Sequence, residues 1–303
     1  MNSEQTHPLK AAAWMLGAVF GFSSMAVLAR RLTLDLDTFE IMAYRSGFGL
    51  IAVLIVASVA GTAHQIRATA MPLHFGRNVA HFAGQNLWLF AAPLIPLSQL
   101  FALEFAYPII VAIGASIFLG ERLTQMRVIT AALGFTGIMI VAQPFGAGGL
   151  SIGTLAAIAC AFGFAGSALF TKRLTRRADG TVTNVLFWLS VMQLVFGIIC
   201  AMLDGEMRFF TLAEAPLLAA FALAGLLAHF CLTTALSLAP ASVVTPIDFL
   251  RLPLIALIAL VLYGEPTTVE TFIGAAIIFG ANYANIVVES RRARTLSQSR
   301  RAG

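Results

Sequence analysis

Two oppositely charged residues stand three positions apart in an otherwise apolar run. The stretch TPIDFLRLP (245–253) carries Asp248 and Arg251, with PASVV before it and LIALIALVLYG after it. A charge at the centre of a bilayer costs about 2.5–3.5 kcal/mol on insertion scales, so such residues point to a working site unless they are paired. Residues i and i+3 share a helix face and could neutralise each other. Both interpretations stay open, since a carboxylate can also carry a proton and a guanidinium can grip a carboxylate through two hydrogen bonds.

Other polar residues lie in similar apolar segments. Their types suit proton transfer, ion pairing or hydrogen bonding, and they are Arg45, His81, Gln85, Asn86, Glu104, Tyr107 and His229. Glu104 has no cation in its own segment, so Arg45 is the expected partner. The two histidines could carry a proton near neutral pH or could simply pack. We predict substrate-binding or coupling roles for this set together with Asp248 and Arg251.

The composition excludes a water-soluble globular protein. Hydrophobic residues make up 59% of the 303 residues, charged residues 11%, and the mean hydropathy is +0.88. Soluble domains carry about a quarter charged residues. We therefore predict an all-α polytopic membrane protein with ten transmembrane helices of about 20 residues each. The predicted spans are 11–29, 38–60, 77–93, 98–119, 127–143, 151–171, 182–203, 215–236, 242–263 and 269–288.

The loop charges predict an orientation. Most lysines and arginines, Arg77 among them, fall on the side of the N-terminus, and the opposite side holds Arg30, Arg31 and Arg208. By the positive-inside rule both termini are cytoplasmic, in a bacterial-type cytoplasmic membrane, and residues 290–303 form a basic cytoplasmic tail. The same rule explains the net charge of +5 without a nucleic-acid partner. The three cysteines have neither metal-ligand nor disulfide spacing, so we expect no metal and no cofactor.

The two halves of the chain resemble each other. FGFSSMAVLARRLT (20–33) matches FGFAGSALFTKRLT (162–175), AHF recurs at 80–82 and 228–230, and GERLT (120–124) aligns with GEPTT (264–268). Five helices per copy is an odd number, so the copies should have inverted topology, as in many transporters with a midplane site.

The repeat also aligns the candidate residues with one another. Glu104 aligns with Asp248, each roughly 9 Å below its own membrane surface at 1.5 Å per residue. His81 aligns with His229 in the same way, whereas Arg251 aligns with Tyr107. The symmetric pairs could form two gates or two halves of one site.

These features together resemble the EamA branch of the drug/metabolite transporter superfamily. The resemblance rests on two five-helix copies, 9–143 and 151–289, each with Gly-Glu-Arg/Pro-x-Thr before its last helix. It implies a transporter with cytoplasmic termini and a central cavity, and it implies no particular substrate. For the Gly-Glu pairs at 120–121 and 264–265 we expect a structural role, in which glycine ends one helix and glutamate opens the next.

The leading prediction is a secondary transporter of a small polar metabolite. Arg45 and Arg251 favour a carboxylate-bearing or zwitterionic, amino-acid-derived solute, metallophore-like compounds included, and we expect export, with Glu104 and Asp248 as proton carriers. The alternative is an importer of a vitamin-like or nucleoside-like solute. A membrane-embedded enzyme is disfavoured, because the chain has no HExxH and no nucleophile elbow. The expected partners are the solute and the lipid bilayer, and a homodimer is left open.

Overall fold

The computed structural model describes residues 8–33, 35–118, 125–142, 150–175, 177, 179–203, 207–238, 247–248, 250–265 and 267–302. Within these ranges the chain forms helices and no strand. The helices are α1 (Pro8–Leu32), α2 (Thr38–Val59), a 3-10 turn (Ala63–Gln65), α3 (Met71–Ala91), α4 (Leu97–Glu104), α5 (Tyr107–Phe118), α6 (Gln125–Ala142), α7 (Ile152–Thr175), α8 (Val182–Ala201), α9 (Ala215–Leu238), α10 (Arg251–Tyr263) and α11 (Val269–Ala302).

The all-α prediction is confirmed for the described part of the chain. In that part, α1, α2, α7, α8 and α9 are each long and apolar enough to cross a membrane. The other predicted spans are shorter apolar helices, or in α3 a helix rich in buried polar side chains. Ten spans therefore remain a prediction. The last helix also extends past the predicted span, since α11 continues to Ala302 through the segment expected to be a tail.

The fourth predicted span is broken near its middle. Helix α4 ends at Glu104, two residues intervene, and α5 begins at Tyr107. Pro108 in the first turn of α5 has no backbone N–H to continue the hydrogen-bond ladder from α4, which accounts for the break. In the second repeat α10 begins at Arg251, the position aligned with Tyr107, and Pro253 follows in its first turn. The candidate charges thus lie at helix ends inside the bundle.

The helices pack in pairs that respect the repeat. Helix α3 runs along α7, and α1 runs along α9, which is the same pairing with the two repeats exchanged. Three further inter-repeat contacts join equivalent helices: α2 with α8, α6 with α11, and α4 with α10. Other inter-repeat contacts, such as α5 with α7 and α2 with α9, join non-equivalent helices. Exchanging the repeats leaves the α3–α7 and α1–α9 pairings and the three contacts between equivalent helices unchanged, as a pseudo-two-fold relation requires.

Small residues allow these pairs to approach closely. A Cβ atom added to Gly163 of α7 would lie 2.6 Å from the Cα of Gly84 in α3. In the equivalent pair, a Cβ on Gly21 of α1 would lie 2.9 Å from the Cβ of Ala228 in α9. Small residues at such crossings are the usual means of close helix association in membranes.

The end of the bundle at which α1 ends, here called the Arg30 end, is tied by a glutamate. Gly264 ends α10 with φ +65°, as predicted for a C-terminal glycine. Glu265, however, does not act on the helix that follows it. One carboxylate oxygen accepts a hydrogen bond from the Leu97 backbone N–H at 3.2 Å, and the other lies 2.5 Å from the Arg30 guanidinium. Glu265 thus lies at a helix N-terminus as predicted, but at that of α4 in the other repeat. The equivalent Gly120 and Glu121 lie outside the described residues.

Candidate functional site

Two carboxylates from the two repeats share one arginine. Arg251 Nη2 lies 2.9 Å from Asp248 Oδ2 and 3.3 Å from Glu104 Oε1, and all three side chains are buried. We call these three residues the charge triad. The expectation of one carboxylate on each side of the midplane suggested two gates or two halves of one site, and the observed geometry corresponds to the second arrangement.

Aromatic side chains enclose the charge triad. The Arg251 guanidinium lies 4.8 Å from the ring centre of Phe22, 5.3 Å from that of Phe101 and 5.0 Å from that of Phe105. Cation–π contacts of this kind stabilise a desolvated guanidinium. Trp88 Nε1 donates a hydrogen bond of 2.8 Å to Glu104 Oε2. Trp88 was not assigned to the site from the sequence; the polarity of the indole N–H was the available signal.

Arg45 does not pair with Glu104, and that prediction was wrong. Its guanidinium lies 3.9 Å from the Met25 sulfur and 5.7 Å from the ring centre of Phe221. No carboxylate among the described residues lies within ion-pair distance of it. Arg251 is the partner of Glu104 instead, because α10 packs against α4 and brings the Arg251 guanidinium to 3.3 Å from the Glu104 carboxylate.

The two histidines meet at the interface of the repeats. The rings of His81 and His229 lie 5.3 Å apart, nearly perpendicular, and Phe22 packs edge-on against His229 at the same separation. Their Nε2 atoms are buried without a hydrogen-bond partner in the described structure, as is Nε2 of Gln85. Phe22 contacts both His229 and the Arg251 guanidinium, so it links the histidine pair to the charge triad.

The remaining predicted residues differ in position. Asn86 donates a hydrogen bond to the Phe82 carbonyl in its own helix, and its Oδ1 is buried without a partner in the part of the chain described. Tyr107 begins α5 and lies within electrostatic range of Asp248, Arg251 and Glu104. Asn86 thus has a local structural partner, whereas Tyr107 belongs with the charge triad.

A second buried polar cluster was not predicted. Arg77 was assigned to a loop at a helix start, but α3 begins at Met71 and buries its side chain. Arg77 Nε donates a hydrogen bond of 2.8 Å to Thr171 Oγ1. The fully buried Gln193 of α8 donates to the backbone oxygen of Asn78 at 2.9 Å. The boundary error hid this cluster, because Pro72 at the true helix start was not used as a signal.

The loop before α9 closes the Arg30 end over α2. The backbone N–H of Arg208 donates to Glu40 at 2.6 Å, and the Tyr44 hydroxyl donates to the Arg208 carbonyl. Phe210 packs edge-on against Tyr44. Hydrogen bonds from Thr211 and the nearby Arg208 guanidinium hold the pKa of Glu214 below its usual value, so it stays ionised as an anchor for this loop.

Comparison with known proteins settles the family. The family model for EamA-like transporters matches the chain twice, at residues 9–143 and 151–286. The chain belongs to the EamA-like transporter family. It is therefore a multi-pass membrane transporter and not an enzyme, built from two EamA repeats.

Curated relatives of this EamA-like chain carry transporter names. It is 32% identical over 296 residues to a protein named riboflavin transporter from Rhizobium johnstonii, which covers 96% of this chain and 95% of that one. It is 25% identical over 278 residues to an S-adenosylmethionine uptake transporter from Rickettsia bellii, covering 92% and 94% of the two chains. A solved crystal structure at 18% identity superposes with a TM-score of 0.67 over 93% of this EamA-like chain and 99% of the other, which shows a shared fold.

Proposed function

We propose that this EamA-like protein transports a vitamin-like solute with a flat ring system and several hydrogen-bonding groups, of the flavin class. The observation that supports the proposal is the set of contacts that the Arg251 guanidinium makes. Its guanidinium already contacts two carboxylates and three aromatic rings, so the centre offers flat apolar faces and polar edges rather than a free positive charge. The similarity to a riboflavin transporter supports the same class.

A carboxylate-bearing or zwitterionic amino-acid-derived metabolite is the second candidate. The specific observation in its favour is Arg45, a buried guanidinium for which the described residues supply no acidic partner. A relative named pseudopaline exporter from Pseudomonas aeruginosa, 27% identical over 227 residues, accords with this candidate and with export. Uptake would accord with the flavin-class candidate, and the Rickettsia relative is named for uptake.

We infer that transport works by alternating access of two inverted repeats. The set of helix contacts that survives exchange of the repeats supports this, because each repeat could take the arrangement of the other. Ten spans, cytoplasmic termini and a bacterial inner membrane belong to the same proposal.

Proton coupling follows from the charges of the triad. With both carboxylates ionised the triad carries one net negative charge, and one bound proton makes it neutral. A neutral triad is far cheaper to rearrange in a low-dielectric bundle than a charged one. We therefore propose that one proton binds to Glu104 or Asp248 in each cycle.

The experiment is uptake of labelled riboflavin by proteoliposomes. We expect saturable uptake that rises with an imposed proton gradient and is reduced by unlabelled riboflavin but not by alanine or histidine. Uptake reduced only by amino-acid-derived acids would instead support the second candidate. If Glu104→Gln and Asp248→Asn leave both the rate and its pH dependence unchanged, the coupling proposal fails. Metabolite profiling of a deletion strain, inside and outside the cell, would measure direction.

A further inference from the structure

A small cavity lies between α2, α8 and α9, and none of the three residues of the charge triad lines it. The space open to water-sized atoms inside it is about 20 Å³, above the roughly 10–15 Å³ that a single water needs. The lining includes Arg45 and Ser46 from α2, Ser190 and Gln193 from α8, and His229 from α9. Because the lining is polar, the space suits a polar ligand.

The charge of the lining is positive and uncompensated. Arg45 is 6% exposed, and the residues that line the cavity include no acidic side chain. Arg251 shows the contrast, since it contacts two carboxylates. A buried guanidinium without an anion is costly. The positive charge therefore favours an anionic ligand in the cavity.

Polar atoms without partners line the same cavity. Gln193 is fully buried, and its amide nitrogen donates to Asn78, so it has no spare donor for an anion; its Oε1, unpartnered within the described structure, is an acceptor that a water could satisfy. His229 Nε2 is also buried and unpartnered there. Buried polar groups are normally satisfied, and those that are not mark a bound water or ion. Ser46 and Ser190 add hydroxyl donors of the kind that complete an anion's coordination.

We propose that this cavity is an anion-binding subsite that takes a small monoanionic group, the size of chloride or of one carboxylate. Arg45 supplies the charge, and the serine hydroxyls and His229 supply further hydrogen bonds. The subsite goes beyond the flavin proposal and bears on the second candidate, and only its role in transport rests on the proposed function. A carboxylate on the solute or a free small anion would use the same chemistry.

Glycines stand at two positions of the cavity wall, Gly49 in α2 and Gly225 in α9. Neither supplies a side chain that would fill the cavity, so the space stays open to a ligand.

The test is anion binding to the purified full-length protein in lipid nanodiscs, prepared in gluconate. Chloride and formate are titrated separately, and the unfolding temperature is recorded. We expect a saturable rise for the unaltered protein and for Arg31→Gln, which removes an exposed arginine paired with Asp35. In Arg45→Gln the anion concentration that gives half of the rise in unfolding temperature should increase about tenfold or more. That factor corresponds to the loss of one charge-assisted hydrogen bond.

A second variant covers the case in which Arg45→Gln fails to fold. A Cβ on Gly49 would contact only Ser190 Oγ, at 3.5 Å, so Gly49→Ala is tolerated and fills the cavity while keeping every donor. It should lose the response to both anions. A response to formate alone supports a solute carboxylate as the natural ligand, and a response to both supports any small monoanion. An equal response in Gly49→Ala, or no response in the unaltered protein, overturns the subsite, whatever the result of the riboflavin assay.

Discussion

Removing the Arg251 guanidinium would leave two buried carboxylates side by side. Breaking a buried ion pair by deleting one partner costs about 3–5 kcal/mol, so we expect Arg251→Met to lower the free energy of unfolding in detergent by that order. Asp248→Asn should cost less, because Arg251 keeps Glu104 at 3.3 Å. The triple variant with Glu104→Gln should recover part of the loss. Equal effects of the two single variants would contradict the shared-cation geometry.

The indole of Trp88 offers a second test at the level of single residues. Trp88→Phe keeps an aromatic ring but removes the hydrogen-bond donor to Glu104 Oε2. We expect the free energy of unfolding to fall by about 1.5–3 kcal/mol, the value of a hydrogen bond to a charged group. Trp14→Phe is the matched control, since Trp14 is partly exposed and packs against Phe230. Thermal unfolding of both variants measures the difference. The idea is wrong if the two variants lose the same stability.

Single-residue chemistry was only partly visible in the sequence. Asp248 and Arg251 could be paired from their spacing, because i and i+3 share a helix face. The pairing of Glu104 with Arg251 could not be predicted, because the two residues are 147 positions apart and meet only through the packing of α4 on α10. Arg45 was the reasonable choice by charge alone, and only the three-dimensional packing excludes it.

Helix crossings depend on glycines that permit no side chain. We expect Gly163→Ala to destabilise the protein by about 1–3 kcal/mol, the usual cost of overpacking, because the new Cβ would strike backbone atoms of Gly84 and Ala80. Gly280→Ala is the control, since nothing lies within 4 Å of its added Cβ and alanine favours the helix. Unfolding temperatures of the two variants should move in opposite directions. A neutral Gly163→Ala would show that α3 and α7 are farther apart than described.

At the Arg30 end one glutamate, Glu265, joins three elements. Glu265→Gln weakens its ion pair with Arg30 and the favourable charge at the N-terminus of α4. We expect faster labelling of a cysteine placed at Leu97, measured in a background with the native cysteines replaced by alanine. Glu270→Gln, in the first turn of the next helix, is the control and should leave the labelling rate unchanged. Equal labelling in both would remove Glu265 from the closure.

Elements were easier to predict than their interruptions. Hydropathy located the helices, but the break after Glu104 was visible only as a proline at 108, and prolines also occur at helix starts. The helix start at Met71 was missed because polar residues such as His74 and Asn78 lower the local hydropathy, and they are buried against other helices rather than exposed.

For the whole molecule, the orientation in the membrane is a direct prediction. With a cytoplasmic N-terminus, a cysteine at Thr211 in the loop of the Arg30 end should react with a membrane-impermeant maleimide added to intact cells. A cysteine at Ala63, at the opposite end, should react only after the cells are opened. The reverse pattern would invert the topology without affecting the fold. The sequence predicts this arrangement from its loop charges alone, whereas the packing of α3 on α7 and α1 on α9 required the structure.

The single arginine of the charge triad makes the two halves energetically unequal. Arg251 in one repeat stands where the other has Tyr107, so the empty carrier cannot favour its two end states equally. When a binding-competent state is only a fraction of the population, the apparent affinity falls by that fraction. The half-saturation concentration for the solute should therefore differ between the two faces of the membrane. The final accumulation ratio, fixed by the driving gradient, would stay the same.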